Sequence, residues 1–208
     1  MFNNNQKENI NMNNIKYREE WLNTVAQELN DRAFKPAGHQ LPPVKISCSW
    51  ALGNRAKNKK TLGQCFPKSW SDADINEIVI VPTVSDSFEI ADTLAHELAH
   101  AVDDCKSGHG KGFKDICLAV GLDGTTQMRY AKAGDMLSDK IKAIIEKVGE
   151  YPHDKMNISD RKKQSTRNLK VECSECGFGW RASKTMIARM TNSTCNGCGS
   201  DTLTLESV

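Results

Sequence analysis

Residues 96–100 read His-Glu-Leu-Ala-His, and this short stretch constrains the chain more than any other part of it. On an α-helix, positions i and i+4 share a face, so His96 and His100 can present two imidazoles to one metal ion. Glu97 is rotated away from that pair, yet stays near enough to take a proton from a water polarised by the metal. The same letters also fit an ordinary amphipathic helix with two histidines on one side. The surrounding residues therefore decide between the two.

A hydrolytic zinc site takes a third protein ligand and keeps one position open. Asp103, Asp104, Cys105, His109 and Asp115 are the local candidates. His109 is the choice, because Gly108 and Gly110 flank it and glycine on both sides lets a helix stop and the chain fold back. Asp103 would continue the helix but falls off the face shared by His96 and His100. A histidine six residues after His100 is ruled out, since Lys106 stands there. A distant glutamate on a later helix stays open on spacing alone, although His109 makes it unnecessary.

A second metal pattern lies near the C-terminus. Cys173-x-x-Cys176 and Cys195-x-x-Cys198 are separated by 18 residues, the spacing of a four-cysteine zinc ribbon. Gly177 and Gly199 follow the two pairs and permit the tight turn that aims backbone N–H groups at sulfur. Four thiolates leave no open position, so this zinc is structural and contributes most of the folding free energy of a short segment. FGWRAS and DTLTLE alternate like strands. Phe178, Trp180 and Arg181 could stack on bases or touch phosphate, but an aromatic beside a small zinc site more often forms its miniature core.

HELAHAV and GHGKGF, the Ile78-Val79-Ile80-Val81 strand before them and the paired cysteine motifs together resemble the SprT-like zinc metallopeptidases. The likeness is closest to the small SprT-like proteins of bacteriophage and plasmid genomes, and runs roughly from residue 17 to 200. It implies an α+β fold: a minimal zincin-like core, with a small mostly antiparallel sheet plus helices, and a C-terminal zinc ribbon. It implies catalytic zinc on His96, His100 and His109, with Glu97 as general base. It also implies that the last strand before the metal helix runs along the cleft and pairs with substrate backbone, which would suit low sequence preference. The related Spartan-type proteases digest proteins crosslinked to DNA. The implied partners are therefore a protein substrate and DNA, single-stranded or crosslinked to protein.

The 208 residues suffice for one moderate domain and a small appendage. The boundaries read as an Asn-rich disordered tail over 1–14, a metallopeptidase domain over 15–150, a basic linker over 151–170 and the ribbon over 171–208. Met12 offers an alternative start. A net charge of +2 does not announce a nucleic-acid binder, so any such surface must be local. Two of its candidates are the loop carrying Arg55, Lys57, Lys59 and Lys60, and the linker carrying Arg161, Lys162, Lys163, Arg167 and Lys170; both also read as solvated segments. Cys48, Cys65, Cys105 and Cys117 read as small buried thiols. With no secretory leader and no long apolar run, the expectation is a reducing, cytoplasmic setting and no membrane.

Apolar spacing predicts a helix over Ile15–Phe34 using Trp21, Leu22, Val25, Ala26 and Leu29, ended by Pro36 and Gly38. Val44–Trp50, Leu62–Phe66 and Ile75–Val81 read as strands. Asp86 with Glu89 caps the metal helix, whose stripe is Phe88, Ala91, Ala95, Leu98 and Val102. A helix from Lys111 to about Gly121 buries Phe113, Ile116, Cys117 and Val120. Another from Asp135 to Val148 uses Met136, Ile141, Ile144, Ile145 and Val148. Arg129 and Tyr130 could assist an oxyanion if they face the zinc, but such residues are more often packing and surface groups. His153 reads as a surface histidine.

Zinc-dependent hydrolysis of a peptide bond is the expected activity. A non-enzymatic DNA-associated zinc module is the alternative, against which the intact Glu97 argues. Hydrolysis of a small amide is a third reading.

Overall fold

The computed structural model describes residues 15–52, 61–124, 128–157, 168–189, 194–201 and 203–206. The Asn-rich tail, the 53–60 basic loop and linker residues 158–167 lie outside these. The chain divides into two compact units, Met1–Asn157 and Ile158–Val208.

The first unit opens with α1 (Arg18–Leu29), which a π-helical turn extends over Asn30–Phe34. Its five expected apolar residues are all buried. Trp21 is fully enclosed, donates its indole N–H to the Gly149 carbonyl at 2.9 Å and meets Tyr151 edge-on at 5.2 Å. The chain then reverses through Gly38, whose φ of 82° lies in the left-handed region.

Three strands follow: β1 (Val44–Cys48), β2 (Gly63–Phe66) and β3 (Asn76–Ile80). Their order is β1-β3-β2, with β1 parallel and β2 antiparallel to β3. The sheet is thus mixed, which corrects the expected mostly antiparallel one. The central place of β3 brings a second correction. Both of its edges are already hydrogen-bonded, so it has none left for a substrate; among the described residues β1 and β2 are the two edge strands, and β2 is the one that packs beside Glu97. Alternation aims Ile46, Ile78 and Ile80 into the core.

Helix α2 (Ser87–Val102) carries the two motif histidines. Asp86 caps it, accepting the Glu89 N–H at 2.7 Å. It packs against α1, β2, β3, α3 (Lys111–Val120) and α4 (Asp135–Val148). Twelve of its sixteen residues are buried, so it is a central helix rather than a one-striped surface one. Ala91, Ala95 and Leu98 of the expected stripe are buried, whereas Phe88 and Val102 are only partly so.

Helix α3 buries the four residues expected of it, and Gly121 ends it at φ 96°. A two-residue ladder then joins β4 (Leu122–Asp123) to β5 (Lys132–Ala133), with a 3₁₀ turn over Met128–Tyr130 between them. In α4 the buried residues are Leu137, Ile141, Ile144 and Val148. Met136, expected on that face, is 72 % exposed, because Leu137 takes the inward position.

The second unit is a three-stranded antiparallel sheet of order β7-β6-β8, formed by β6 (Leu169–Cys173), β7 (Gly179–Ala182) and β8 (Leu203–Glu206). Leu169 and Lys170, assigned above to the linker, belong to β6, where Lys170 pairs with Glu172. A short helix α5 (Lys184–Arg189) follows β7 and left no periodic signal long enough to be recognised. No helix among the described residues is long and apolar enough to cross a membrane.

Replacing Trp21 by Ala removes a fully buried ring and leaves the Gly149 carbonyl short of a donor. The expected loss is about 3–5 kcal/mol, read as a lower denaturant midpoint at unchanged slope.

Candidate metal centre

The ligand atoms of His96, His100 and His109 all lie within 4.8 Å of one another. The Nε2 atoms of His100 and His109 are 3.3 Å apart. Three imidazole nitrogens at this separation fit a single tetrahedral zinc with one position left over. Glu97, on the same helix, is buried at 7 % exposure.

A fully buried ring organises the three histidines. Phe113 of α3 stacks on His100 at 3.9 Å between centroids, while His96 and His109 meet it edge-on at 5.0 and 5.3 Å. The sequence marks Phe113 as a core residue only; its place under the imidazoles depends on how α3 packs on α2.

The turn that delivers His109 differs from the expected one. Helix α2 stops at Val102, well before Gly108. Asp104 (φ 56°) and Cys105 (φ 57°) make the reversal in left-handed conformation, with Gly108 (φ 53°) beyond them. Such a conformation costs a non-glycine residue on the order of 1 kcal/mol. Specific contacts offset it. The Cys105 N–H returns to the His100 carbonyl at 2.8 Å. Asp104 Oδ1 accepts the Lys68 N–H at 2.9 Å and the Asn76 amide at 3.0 Å, and Asp103 Oδ2 accepts the Ser107 N–H at 3.0 Å. The Lys68 N–H, with the Asn76 amide and nearby lysines, holds the Asp104 carboxyl below its usual range. Two rejected ligand candidates, Asp103 and Asp104, therefore shape the loop.

Cys105, also rejected, packs its sulfur 3.4 Å from that of Cys65 on β2. This contact and burial push the Cys65 thiol up, which keeps it protonated. Of the four thiols expected to be buried, Cys117 is; Cys48, Cys65 and Cys105 are half-buried.

Burial first, and then neighbouring His109, pulls the His96 imidazole down to about 4; its hydrogen bond to the Ala131 backbone opposes them. His96 is consequently neutral at pH 7, the form that binds metal. A hydrogen bond from a ligating histidine to a backbone carbonyl is the usual way its ring is oriented. Ala131 is itself held in place from α2. Buried Asp92 accepts the Ala133 N–H at 2.7 Å and pairs with Lys132 at 3.1 Å. Asp92 sits one helical turn before His96, but nothing in the sequence ties it to the 131–133 segment. Arg129 and Tyr130, next to that segment, are exposed.

Gly63 was also invisible as a site residue. A Cβ built there would meet Glu97 Cγ and Oε1 at 2.8 Å.

In the second unit Cys173, Cys176, Cys195 and Cys198 place their sulfurs within 4.8 Å of one another. Gly177 (φ 72°) and Gly199 (φ 76°) close the two turns, with N–H bonds to the Cys173 and Cys195 carbonyls at 3.0 and 2.8 Å. Backbone N–H groups of Cys176 and Glu175 bring the Cys173 thiol down to about 7, whereas Cys176 and Cys198 are shifted up, so Cys173 is the first of these to lose its proton. This donor set fits a four-cysteine zinc ribbon. Among the residues whose burial is described, its interior holds Val171, Ala182, Cys173 and Cys195. Phe178, expected in that interior, is 44 % exposed and lies 6.0 Å from Trp180.

The SprT-like family model matches residues 22–131, and the chain belongs to the SprT-like family. The matched span holds Glu97 and all three histidines and stops at Ala131, short of the ribbon. No curated protein and no solved structure matches the chain.

Two outcomes follow from this geometry. His96 titrates lower in the folded than in the unfolded chain, so below pH 6.5 the unfolded state binds more protons. Metal-free protein should lose stability as pH falls from 6.5 to 4, by up to about 3 kcal/mol from this group, in chelator-treated melting curves. Asp92→Ala should weaken zinc binding at the histidine site by about 10–100-fold, measured by competition with a chromogenic chelator.

Proposed function

We propose that the chain is a zinc-dependent endopeptidase with a zincin-like core, and that it acts on DNA-associated or DNA-crosslinked proteins. The observation that carries this reading is the convergence of His96, His100 and His109, with Glu97 buried on the same helix as two of them. Membership of the SprT-like family supports the peptidase class. The substrate class rests on the family resemblance, and the cysteine ribbon offers a second, structural zinc and a place to recruit nucleic acid or protein.

His96, His100 and His109 would hold a zinc ion, whose Lewis acidity would lower the pKa of a water and polarise a carbonyl. The chain's own residues do the rest. Glu97 accepts the proton from the attacking water as its oxygen bonds to the carbonyl carbon, and returns that proton to the amine nitrogen as the C–N bond breaks. Phe113 keeps the imidazoles in register. Edge strand β2, running past Glu97 at Gly63, offers backbone N–H and C=O groups to an extended peptide. Pairing of that kind aligns a substrate without reading its side chains.

Glu97→Gln keeps the shape of the side chain and removes its basicity. The variant should keep the zinc content of wild type and lose roughly a hundredfold or more in cleavage of a DNA-bound protein, assayed with and without single-stranded DNA. Wild-type rates in the variant would remove Glu97 from the mechanism. Zinc-replete wild type that binds DNA and cleaves nothing would favour the non-enzymatic module.

A further inference from the structure

Gly63 opens β2 and is buried against α2. Glycine weakens a strand, and its backbone here is not in the left-handed region that would require it. The reason for it is space. A Cβ at this position would lie 2.8 Å from both Cγ and Oε1 of Glu97 and 2.9 Å from Cγ2 of Thr93. These separations are well inside van der Waals contact, so any side chain must displace something.

The surroundings determine what can give. Thr93 and Glu97 are one helical turn apart on the same face of α2, and both are buried. Thr93 is β-branched and therefore stiff at χ1 on a helix. The α2 backbone is held on several sides by α1, α3, α4 and the sheet. On the other side, β2 is anchored to β3 by the Gly63–Ile80 and Gln64–Val79 pairing and touches the metal loop through Cys65 and Cys105. Glu97 has the longest side chain in the contact and the most rotatable bonds, so it is the group that can shift with least change to the backbone.

We propose that Gly63 is a positioning residue for Glu97: the side chain it lacks is the space the Glu97 carboxylate occupies, and β2 is the wall that holds that carboxylate in place. The assignment of a kinetic consequence rests on the reading of Glu97 as the general base; the packing relation does not. The same close approach brings the edge of β2 alongside the base, so the residue that leaves room for the carboxylate also sets how near a peptide paired to β2 runs to it.

The test is a double-mutant cycle on the zinc-loaded full chain. Gly63→Ala should lower the melting temperature, and adding Glu97→Ala, which removes both Cγ and Oε1, should restore most of that loss. Adding Thr93→Ser, which removes only Cγ2, should restore less. Zinc content should match wild type in Gly63→Ala, while kcat falls roughly a hundredfold at little-changed KM, as expected of a base shifted by about an ångström. A Gly63→Ala protein that folds only when Glu97→Ala accompanies it supports the proposal equally. The proposal is overturned if Glu97→Ala gives no recovery, if Thr93→Ser recovers as much, or if Gly63→Ala matches wild type in both melting temperature and kcat. If wild type cleaves nothing, the peptidase reading falls and the stability cycle alone decides the role of Gly63.

Discussion

Helix α2 is buried on almost every side and still carries Asp92, Thr93, Glu97 and His100 in its interior-facing turns. A buried polar group is tolerated only where a partner or a ligand meets it. Each of these groups therefore dictates something about its surroundings. Asp92 takes up the Ala133 N–H and the Lys132 ammonium. His100 is stacked on Phe113 and faces His109. Glu97 and Thr93 lie against a strand that has no side chain to put there. The first unit is arranged so that one nearly enclosed helix can keep its polar groups.

That arrangement explains why the site draws on parts of the chain that are far apart in sequence. The three clustered histidines come from α2 and the loop after it, but their orientation depends on the Ala131 backbone, on Phe113 and on the Asp104–Asn76 contact. Each supporting contact restricts a ring or a turn that would otherwise sample several rotamers. A histidine cluster held this way is pre-organised, and little ordering would remain to be done for an ion to bind. The ribbon works on the opposite principle. Among the residues whose burial is described, its interior is Val171, Ala182 and two of its own cysteines, so a metal bound there would add cohesion that a core supplies elsewhere.

The position of β3 shows how topology limits function. Its run of β-branched residues marks it as a strand, and proximity in sequence to the metal helix suggests a role beside the cleft. Being central, it has its backbone groups committed on both sides, and the outer edges of the described sheet belong to β1 and β2, of which β2 runs past Glu97. Strand order depends on which edges pair after collapse, a long-range outcome that local patterning does not encode. The reversal after α2 is similar. Gly108 and Gly110 look like the hinge, yet Asp104 and Cys105 adopt the left-handed conformation because the Lys68 N–H, the Asn76 amide and the His100 carbonyl reward it.

What the sequence determined by itself are the features set by local chemistry. The i, i+4 histidines with Glu97, His109 between glycines, the Cys-x-x-Cys pairs, the Asp86 cap and the apolar faces of α1 and α3 are all legible, because helix periodicity and ligand type act over a few residues. Only the tertiary structure decided the rest: the mixed sheet, the edge role of β2, the ring of Phe113 beneath the imidazoles, Asp92 as support for the His96 partner, and the vacancy at Gly63. Those depend on which surfaces meet across dozens of residues. A glycine in a strand or an aspartate in a helix carries no mark of the group it will face, and that group is chosen only when the chain closes around α2.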